Sequence, residues 1–468
     1  MRAVRASPTA ASKADVSLRR MLLPLALTQF VASFAGSSMN VSITSISKDI
    51  HTTVHGVQTA ITLFLLCMAA LMIPGSKLTD KLGRKWCLIV GLSVYGTGAV
   101  VAALAPVLGV LIVGYSVLEG VGSALMIPPI YILATMLFDN VESRARAFGV
   151  ISGMAGIGAA AGPLIGGLIT TAISWRLTFL LQAAIVGLVI LLSRRIVDPA
   201  PADRSRHFDV VGAVLSAAGM FFVVVAILQI GVNGLLVAVF FVLAAALLFW
   251  FFLHIRSLER KKVEPLLVRS LFRNRTSNLA MVTQNIQWLL MMGSSFVISV
   301  YLQVVRGYSA IQTGLTFTAA TAGILVSSLA AERLAKRRAQ STLIRAGFVI
   351  TLAGIGLGLA LGNNTSSVWY LIPGLLFIGL GVGTMLTPSV NVVQSSFPEE
   401  RQGEISGLSR SVSNLGSSMG TAIAGTILIA AESRAHPYAI AMSSLALFGL
   451  IGLATAMFLP ANPVRRQP

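Results

Sequence analysis

Fourteen uninterrupted apolar stretches, each bounded by charged or turn-forming residues, dominate this chain of 468 residues. A helix that crosses the hydrocarbon core of a bilayer needs about 20 such residues. Only 11% of the residues are charged, against about 25% in ordinary soluble domains, so a soluble enzyme and a disordered protein are both excluded. The sequence predicts an all-α, polytopic membrane protein. The predicted spans are 21–45, 55–76, 87–105, 107–137, 147–171, 176–194, 210–230, 234–254, 277–304, 311–331, 343–362, 369–395, 404–430 and 438–460.

The distribution of basic residues predicts the orientation of the chain. Lys and Arg are retained in short cytoplasmic loops, and all but five of the 35 basic residues fall in segments that are cytoplasmic if the N-terminus is inside. An even number of spans then places both termini in the cytoplasm, in a multi-pass protein of the plasma membrane. The net charge of +19 is spread over successive loops and forms no single basic face, which argues against nucleic acid as a partner.

Polar linkers divide the chain into five predicted segments. A basic tail at 1–20, expected to be disordered, precedes a six-helix bundle at 21–194. Cytoplasmic linkers and two inserted helices follow at 195–276, and a second six-helix bundle occupies 277–460, before a short cytoplasmic tail at 461–468. The two cysteines and five histidines show no metal-ligand spacing, so no metal or cofactor is predicted.

The two predicted bundles share a repeated glycine pattern. Four glycines of the fifth span recur in the thirteenth at a constant offset of 258, and a Gly-x-Gly pair with a following proline in the fourth span recurs in the twelfth. Parallel repeats of this kind place a substrate site between the halves near the midplane, with alternating access by rocking of one half against the other. The repeated positions are Gly149, Gly158, Gly162 and Gly167 with Gly407, Gly416, Gly420 and Gly425, and Gly120, Gly122 and Pro128 with Gly381, Gly383 and Pro388.

Two motifs carry a resemblance to a known family. The loop after the second span resembles the cytoplasmic loop signature of the major facilitator superfamily, and the fifth span matches that superfamily's antiporter signature. The stretches 208–212 and 301–308, with the fourteen spans, resemble its 14-helix drug:proton antiporter branch. The loop residues are Gly75, Asp80, Gly83, Arg84 and Lys85, and the residues of the fifth span are Gly149, Gly158, Gly162, Pro163, Gly166 and Gly167.

The resemblance implies a transporter and no enzyme. It implies proton-coupled export of hydrophobic or amphipathic small molecules by a monomer that works within the lipid bilayer, with Na⁺ as the alternative coupling ion. The loop residues would form a conformational latch on the cytoplasmic side. The chain departs from the family where an Asp in the first helix is replaced by Ala35, and where an Arg and a Gln in the fourth helix are replaced by Ser116 and Glu119.

Glu119 is the acidic residue that lies deepest in a predicted span. An ionised carboxylate at that depth costs several kcal/mol and persists only for a function or with a partner, so Glu119 is the predicted protonation site. Its helical stripe is expected to face a central cavity; a neutral Glu that is hydrogen-bonded to a neighbouring helix is the alternative. The stripe consists of Tyr115, Ser116, Glu119, Gly122, Ser123 and Met126.

Polar residues in other spans are predicted to line the substrate site, although such residues also serve as interhelical contacts. Arg410, inside the thirteenth span, is expected to extend toward the cytoplasm, and pairing with an anionic ligand is the alternative. The predicted substrate-binding residues are Gln29, Ser33, Asn40, Tyr115, Ser123, Gln284, Gln287, Trp288, Asn391 and Asn414; Gly36, Ser37, Thr44, Met291 and Gln394 share their faces or their class.

The absence of a GxxxxGK[ST] phosphate loop leaves an ion gradient or the substrate's own gradient as the energy source. Two further hypotheses stay open. The protein could be a dedicated exporter of one metabolite or antibiotic made by its host, with altered coupling, or a receptor or scaffold that no longer transports.

Overall fold

The computed structural model describes residues 8–137, 141–194, 196, 198, 202–205, 207–230, 233–335, 338–362, 368–398, 401–431 and 436–460. The predicted C-terminal tail at 461–468 and the first seven residues of the predicted N-terminal tail lie outside these ranges. Every regular element in the described ranges is helical, and fourteen of the helices are long and apolar enough to span a membrane. The predicted all-α architecture with fourteen spans is confirmed.

The fourteen spanning helices are labelled α1 to α14. In the first half they are α1 (Pro8–Val41), α2 (Val54–Leu82), α3 (Arg84–Ala103), α4 (Leu108–Leu111, the π-helix Ile112–Glu119 and Gly120–Leu137), α5 (Val141–Ala161, the π-helix Gly162–Gly166 and Gly167–Ala172) and α6 (Trp175–Ser193). The inserted pair is α7 (Val210–Leu228) and α8 (Gly234–Arg260). In the second half they are α9 (Arg275–Val300 and the π-helix Tyr301–Val305), α10 (Ala310–Ala335), α11 (Gln340–Gly362), α12 (Leu371–Gln394), α13 (Gln402–Ala430) and α14 (Pro437–Met457). Shorter helices are Ile43–Asp49 and the 3₁₀ turns Arg269–Arg273 and Val368–Tyr370.

The segment expected to be a disordered N-terminal tail is helical from Pro8 onward. The expectation of disorder is wrong for this stretch, because its residues are mainly helix formers and neither Gly nor Pro interrupts them until Pro24. The first helix therefore extends beyond the apolar span that begins at Met21.

The two six-helix bundles pack in the same pattern. Within the first bundle α1 packs on α5, α2 on α4, and α3 on α4 and α6. Within the second, α9 packs on α13, α10 on α12, and α11 on α12 and α14. Contacts between the bundles follow the same symmetry, since α5 meets α10 and α2 meets α13. The sequence repeat thus corresponds to a structural repeat.

The repeated glycines explain why equivalent helices approach closely. A β-carbon on Gly158 would overlap the carbonyl oxygen of Phe30 on α1, and one on Gly416 would overlap the carbonyl oxygen of Asn285 on α9. Small residues allow such backbone contact between helices in lipid, where no hydrophobic force drives apolar helices together. The fourth glycine of each set faces the opposite bundle: a β-carbon on Gly167 would lie 2.6 Å from the carbonyl oxygen of Ala310 on α10.

The inserted pair covers the outside of the seam between α2 and α13. Helix α7 packs on both of these helices, and the hydroxyl of Thr426 on α13 donates a hydrogen bond of 3.2 Å to the carbonyl oxygen of Ile227. Ile227 also belongs to a small apolar cluster with Leu66 of α2 and Ala422 of α13. Helix α8 packs on α7 and leaves most of its apolar surface exposed, so it faces lipid.

Substitution of Gly158 tests the close contact between α5 and α1. We expect Gly158→Ala to lower the free energy of unfolding by about 1–3 kcal/mol, because the new methyl group meets backbone atoms that cannot move independently. Gly153→Ala is the matched control on the same helix, since a β-carbon there meets no atom within 4 Å. Thermal unfolding of both variants in detergent measures the difference, and equal stability of the two variants would contradict the packing.

Candidate functional site

The polar stripe on α1 lies at the interface between the bundles, beside a gap at Gly36 that we call the substrate space. At the inner end of the stripe, Gln29 accepts a hydrogen bond from Tyr131 of α4, which in turn contacts Arg410 of the second bundle. At the outer end, the carbonyl oxygen of Asn40 accepts a hydrogen bond of 2.9 Å from Gln303 Nε2. Between them, a β-carbon on Gly36 would meet no atom within 4 Å, and Ser33 is half-buried. Eleven residues of helix separate Gln29 from Asn40, about 16 Å along its axis.

Gln303 closes the outer end of this space. Besides its bond to α1, its Oε1 accepts hydrogen bonds of 3.1 Å from both the backbone N–H and the hydroxyl of Thr44 in the short helix after α1. Gln303 belongs to the π-helix at the end of α9, and π-helical turns are frequent at functional sites. One side chain of the second bundle therefore ties down the end of the first helix. The residue lies in the stretch 301–308, but sequence reasoning assigned it no role.

Arg410 closes the inner end of the space. Its Nη2 donates a hydrogen bond to the hydroxyl of Tyr131 on α4, and its guanidinium lies 4.8 Å from the centre of that ring. The Tyr131 hydroxyl donates to Gln29 Oε1 at 3.3 Å, and Gln29 Nε2 donates to Ser33 Oγ at 3.4 Å. An aromatic partner in the other bundle thus holds the Arg410 head group at the interface, and its extension toward the cytoplasm stays a prediction.

The seam between α5 and α10 is one of the two lateral contacts between the bundles. Along the outer part of the seam between α5 and α10, the backbone of Pro163 touches Gly314, and the Ile311 N–H donates 3.1 Å to the Thr171 hydroxyl. Further toward the cytoplasmic face of the same seam, a β-carbon on Gly156 would lie 3.7 Å from Leu325 Cδ2 on α10, while β-carbons on Gly149 and Gly153 would meet no described atom within 4 Å. Among the described residues, the contacts of this seam therefore lie in its outer part and at Gly156.

Several predicted binding residues of the second bundle are engaged within that bundle. Gln284 Nε2 donates 2.8 Å to the Ser413 hydroxyl, and Gln284 Oε1 accepts 3.0 Å from Ser409, both on α13. Gln287 Oε1 accepts 3.0 Å from the Ser389 hydroxyl on α12. Both amides join neighbouring helices. Three other predicted residues are half-buried: Trp288, Asn391 and Asn414.

The stripe around Glu119 faces the interior of the first bundle. The Tyr115 ring stacks on Phe64 of α2 at 4.6 Å, and the Ser116 hydroxyl donates 2.7 Å to the carbonyl oxygen of Ala60. Ser123 is fully buried. The expectation that this stripe faces a central cavity is wrong, because helical periodicity identifies a polar face without specifying which neighbour it meets.

Glu119 itself is fully buried among α3, α4 and α6. Among the described residues neither carboxyl oxygen has a hydrogen-bond partner, and the nearby hydroxyl of Tyr95 donates to Gln182 Oε1 on α6 at 2.6 Å. The carboxyl group has no cation within salt-bridge distance in the described part of the chain, so its neutral form is the stable one in this arrangement. Glu119 also ends the π-helix Ile112–Glu119.

The predicted latch residues make contacts within the first bundle. Gly83 has a φ of +97° in the tight turn between α2 and α3, and Asp80 pairs with Arg84 at 3.2 Å. The Lys85 N–H donates 3.1 Å to Asp198 Oδ2 at the cytoplasmic end of this bundle. A β-carbon on Gly75 would overlap the carbonyl oxygen of Ala124 on α4. These contacts fix the loop on its own bundle.

Lys77, near the cytoplasmic end of α2, makes an ion-pair contact with the second bundle. Sequence reasoning missed this contact. Lys77 Nζ lies 2.5 Å from Glu404 Oε1 at the start of α13 and 2.8 Å from Glu264 Oε1 in the linker after α8. Only 14% of the Lys77 side chain is exposed. The available signal was Glu404, an acid in the first turn of a spanning helix, where it faces the basic loop.

The antiporter-signature residues divide between two helices. Gly158, Gly162 and Gly166 contact α1, whereas Gly167 contacts α10 of the other bundle. Pro163 lies in the π-helix Gly162–Gly166, because proline removes one hydrogen bond from the helical ladder. The break therefore lies in the part of α5 that contacts both α1 and α10.

The structure has two bundles related by an internal repeat, and polar contacts at Gln303 and Arg410 join them at the two ends of the space between them. This arrangement is typical of a membrane carrier. Residues 25–421 match the profile of the Major Facilitator Superfamily. The chain belongs to this superfamily, and it is a multi-pass transporter of the cell membrane rather than an enzyme.

Sequence relatives are drug-resistance and export proteins. The chain is 28% identical over 411 residues to the puromycin resistance protein pur8 of Streptomyces alboniger, covering 87% of this chain and 81% of that protein. It is 29% identical over 415 residues to the multidrug resistance protein Stp of Mycobacterium tuberculosis, covering 87% and 75%. It is 27% identical over 420 residues to the tetracenomycin C resistance and export protein of Streptomyces glaucescens, also covering 87% and 75%.

Solved structures share the fold at low sequence identity. A crystal structure of the peptide transporter POT in complex with sulfate superposes with a TM-score of 0.67 and 17% identity, covering 94% of this chain and 95% of that chain. A POT family transporter in complex with a thioalcohol-conjugated peptide gives a TM-score of 0.66 at 15% identity, covering 95% and 98%. These likenesses concern the fold alone.

Replacement of Gln303 tests the outer closure. We expect Gln303→Leu to raise the outward-facing population about tenfold, because three hydrogen bonds between the bundles are lost. The measurement is labelling of a cysteine at Gly36 by a membrane-impermeant maleimide added outside, in a chain without its two native cysteines. Gln312→Leu is the control, since among the described residues the Gln312 amide oxygen accepts hydrogen bonds from Ser309, just before its own helix, and from no residue of the first bundle. Equal labelling in the two variants would exclude Gln303 as the closure.

A double-mutant cycle tests the contact of Lys77 with Glu404. We expect Lys77→Gln and Glu404→Gln to be coupled by about 1 kcal/mol or more in thermal unfolding, because both side chains are largely shielded from water. The same cycle on Arg84 and Asp80 is the control. Both residues belong to the first bundle, so their substitution should leave the contact between Lys77 and Glu404 intact. Additive effects at Lys77 and Glu404 would show that this ion pair does not hold the bundles together.

Proposed function

We propose that this protein is a proton-coupled exporter of hydrophobic and amphipathic small molecules, a multidrug efflux carrier that acts by alternating access. The bundles at 21–194 and 277–460 would rock about the substrate space, while the segment 195–276 covers one seam. Because the complete interface lies within one chain, we propose that a monomer is the working unit. The names of the relatives, which include multidrug, puromycin and tetracenomycin resistance proteins, support this substrate class.

The observation that carries the proposal is the open space along α1. It lies between two polar contacts that join the bundles, one at Gln303 and one at Arg410. Breaking one contact while keeping the other would expose the space to one side of the membrane at a time, which is what alternating access requires.

Substrate contacts are proposed for the residues that border this space or stay half-buried. These are Gln29, Ser33, Asn40, Trp288, Asn391 and Asn414. The buried residues Tyr115, Ser123, Gln284 and Gln287 would act through helix packing, since their contacts lie inside one bundle. The predicted latch would work through Lys77 in addition to Gly75, Asp80, Gly83, Arg84 and Lys85.

Glu119 is the proposed protonation site. A carboxyl group without a counter-ion at this depth costs several kcal/mol when it is ionised, and among the described spanning helices it is the acid buried most deeply. In the closed arrangement it would hold a proton. A shift of the π-helical turn that ends at Glu119 would turn its side chain toward solvent and release that proton. One proton that moves down 100 mV supplies about 2.3 kcal/mol.

Glu119→Gln tests the coupling. Gln has nearly the same shape as a protonated Glu, so we expect the variant to insert into the membrane and to bind drug. We expect its rate of efflux driven by a pH gradient to fall at least about tenfold. The measurement is efflux of ethidium and of puromycin from proteoliposomes with imposed proton or Na⁺ gradients. Glu259→Gln is the control, because its Oε1 accepts a backbone hydrogen bond that Gln also accepts.

The outcomes separate the parts of the proposal. If wild-type efflux depends on neither gradient, gradient-driven export is overturned. If efflux depends on the Na⁺ gradient alone, Na⁺ is the coupling ion instead of the proton. Unchanged pH-driven efflux in Glu119→Gln would remove Glu119 from the mechanism while leaving export intact.

A dedicated exporter of one host-made antibiotic or metabolite is the second candidate. The likeness to a tetracenomycin C resistance and export protein favours it, as do Ala35 and Ser116, which replace family charges. Competition assays with chemically unrelated drugs distinguish the two candidates, since a dedicated exporter would be inhibited by one chemical class only.

A further inference from the structure

Arg410 is a cation inside a spanning helix that faces the centre of the molecule. On α13, Gly407 and Ser411 contact α2, whereas Ser409 and Ser413 contact α9. Arg410 lies between these two faces and reaches Tyr131 on α4 of the first bundle. Its side chain is half-buried. The guanidinium therefore borders the substrate space and not the lipid.

The charge of Arg410 is not neutralised by the described part of the protein. No described carboxylate lies within 4 Å of its guanidinium, and its described partners are the hydroxyl and the ring of Tyr131, both uncharged. Glu119 lies twelve residues from Tyr131 along α4, about 18 Å away along the axis, on a face that packs inside the bundle. Ionisable groups within a membrane pair with an opposite charge or line a pathway for ions or substrate.

Most of the hydrogen-bonding capacity of Arg410 is unused by its described partners. A guanidinium carries five N–H donors, and one of its nitrogens, Nη2, donates to Tyr131. The planar guanidinium suits a carboxylate, which accepts two parallel hydrogen bonds. From Tyr131, a chain of hydrogen bonds continues to Gln29 and then to Ser33 on α1, and further along α1 a β-carbon on Gly36 would meet no described atom within 4 Å.

We propose that Arg410, together with Tyr131 and Gln29, binds the negatively charged group of exported molecules, a carboxylate or an ionised phenol or enol on an apolar ring system. The apolar part lies along α1 toward Gly36. This inference rests on the proposed export function and specifies the charge of the substrate class. The anionic group of the ligand binds the Arg410 guanidinium, so it competes with the hydrogen bond from Arg410 to Tyr131 that closes the inner end of the space.

An anionic substrate has a consequence for energetics. Exchange of one exported anion for one imported proton moves two charges across the membrane, whereas exchange of a neutral molecule moves one. The membrane potential, negative inside, therefore drives export of the anion twice as strongly as export of a neutral analogue.

Direct binding tests the proposal on the unmodified protein. The probes are dansylglycine, which carries a carboxylate, and dansylglycinamide, which has the same ring system without the charge. We expect the purified wild-type protein to bind the acid at least about tenfold more tightly, because charge-assisted hydrogen bonds replace neutral ones. Equal affinities for the two probes would overturn the proposal without any substitution.

Variants locate the preference at Arg410. We expect Arg410→Gln to lose the tenfold preference while its affinity for the amide stays within about twofold, and Arg410→Lys to keep a reduced preference. Arg256→Gln removes one positive charge on the exposed cytoplasmic end of α8 and should keep the full preference. A role limited to closing the interface would instead change the affinities for acid and amide equally in Arg410→Gln, and that result would overturn the proposal.

Transport assays separate this inference from the export function. In proteoliposomes with a membrane potential and no pH gradient, wild-type efflux of the acid should exceed that of the amide, and Arg410→Gln should make the two rates equal. If neither probe, nor ethidium, nor puromycin is exported, the proposed function fails. If ethidium is exported but Arg410→Gln leaves the ratio of acid to amide at its wild-type value, only the assignment of Arg410 fails.

Discussion

Close backbone contact through small residues is the constraint on which this structure depends. In lipid the exclusion of water gives no force that pulls apolar helices together, so packing, small residues and hydrogen bonds decide which helices meet. Gly158 against Phe30 and Gly416 against Asn285 are the same solution in two bundles. These glycines therefore define how the helices of each bundle meet.

The two lateral seams differ, although the repeat makes them equivalent. Hydrogen bonds from α13 to carbonyl oxygens of α2 run from Ser418 to Ser411, and Lys77 continues the contact to the cytoplasmic end. Helix α7 packs over the outside of this seam. The seam between α5 and α10 has no such cover among the described residues. The inserted pair thus makes the two seams unequal, although the repeat makes their helices equivalent.

The two ionisable groups of the proposed mechanism belong to different bundles. Glu119 is enclosed by the first bundle, while Arg410 belongs to the second and reaches over the interface to Tyr131. Since Tyr131 lies about 18 Å from Glu119 along α4, the proposed proton site and the proposed substrate site can only be coupled through a change of conformation. The π-helical turns in α4, α5 and α9 lie at Glu119, Pro163 and Gln303, which are the points where such a change would act.

The sequence by itself determined the fourteen spans, the internal repeat and the superfamily, because apolar length and glycine spacing are local properties that survive in one dimension. It also identified Glu119 as an exceptional acid. The direction in which Glu119 faces was decided only by tertiary packing. A polar helix face has the same periodicity in the sequence whether it packs on a neighbouring helix or lines a cavity. Gln303, Lys77 and Arg410 likewise depend on partners 259 to 327 positions away in the chain. Such contacts arise only when the two bundles meet, because no local pattern specifies which side chain of one half will lie opposite a given side chain of the other.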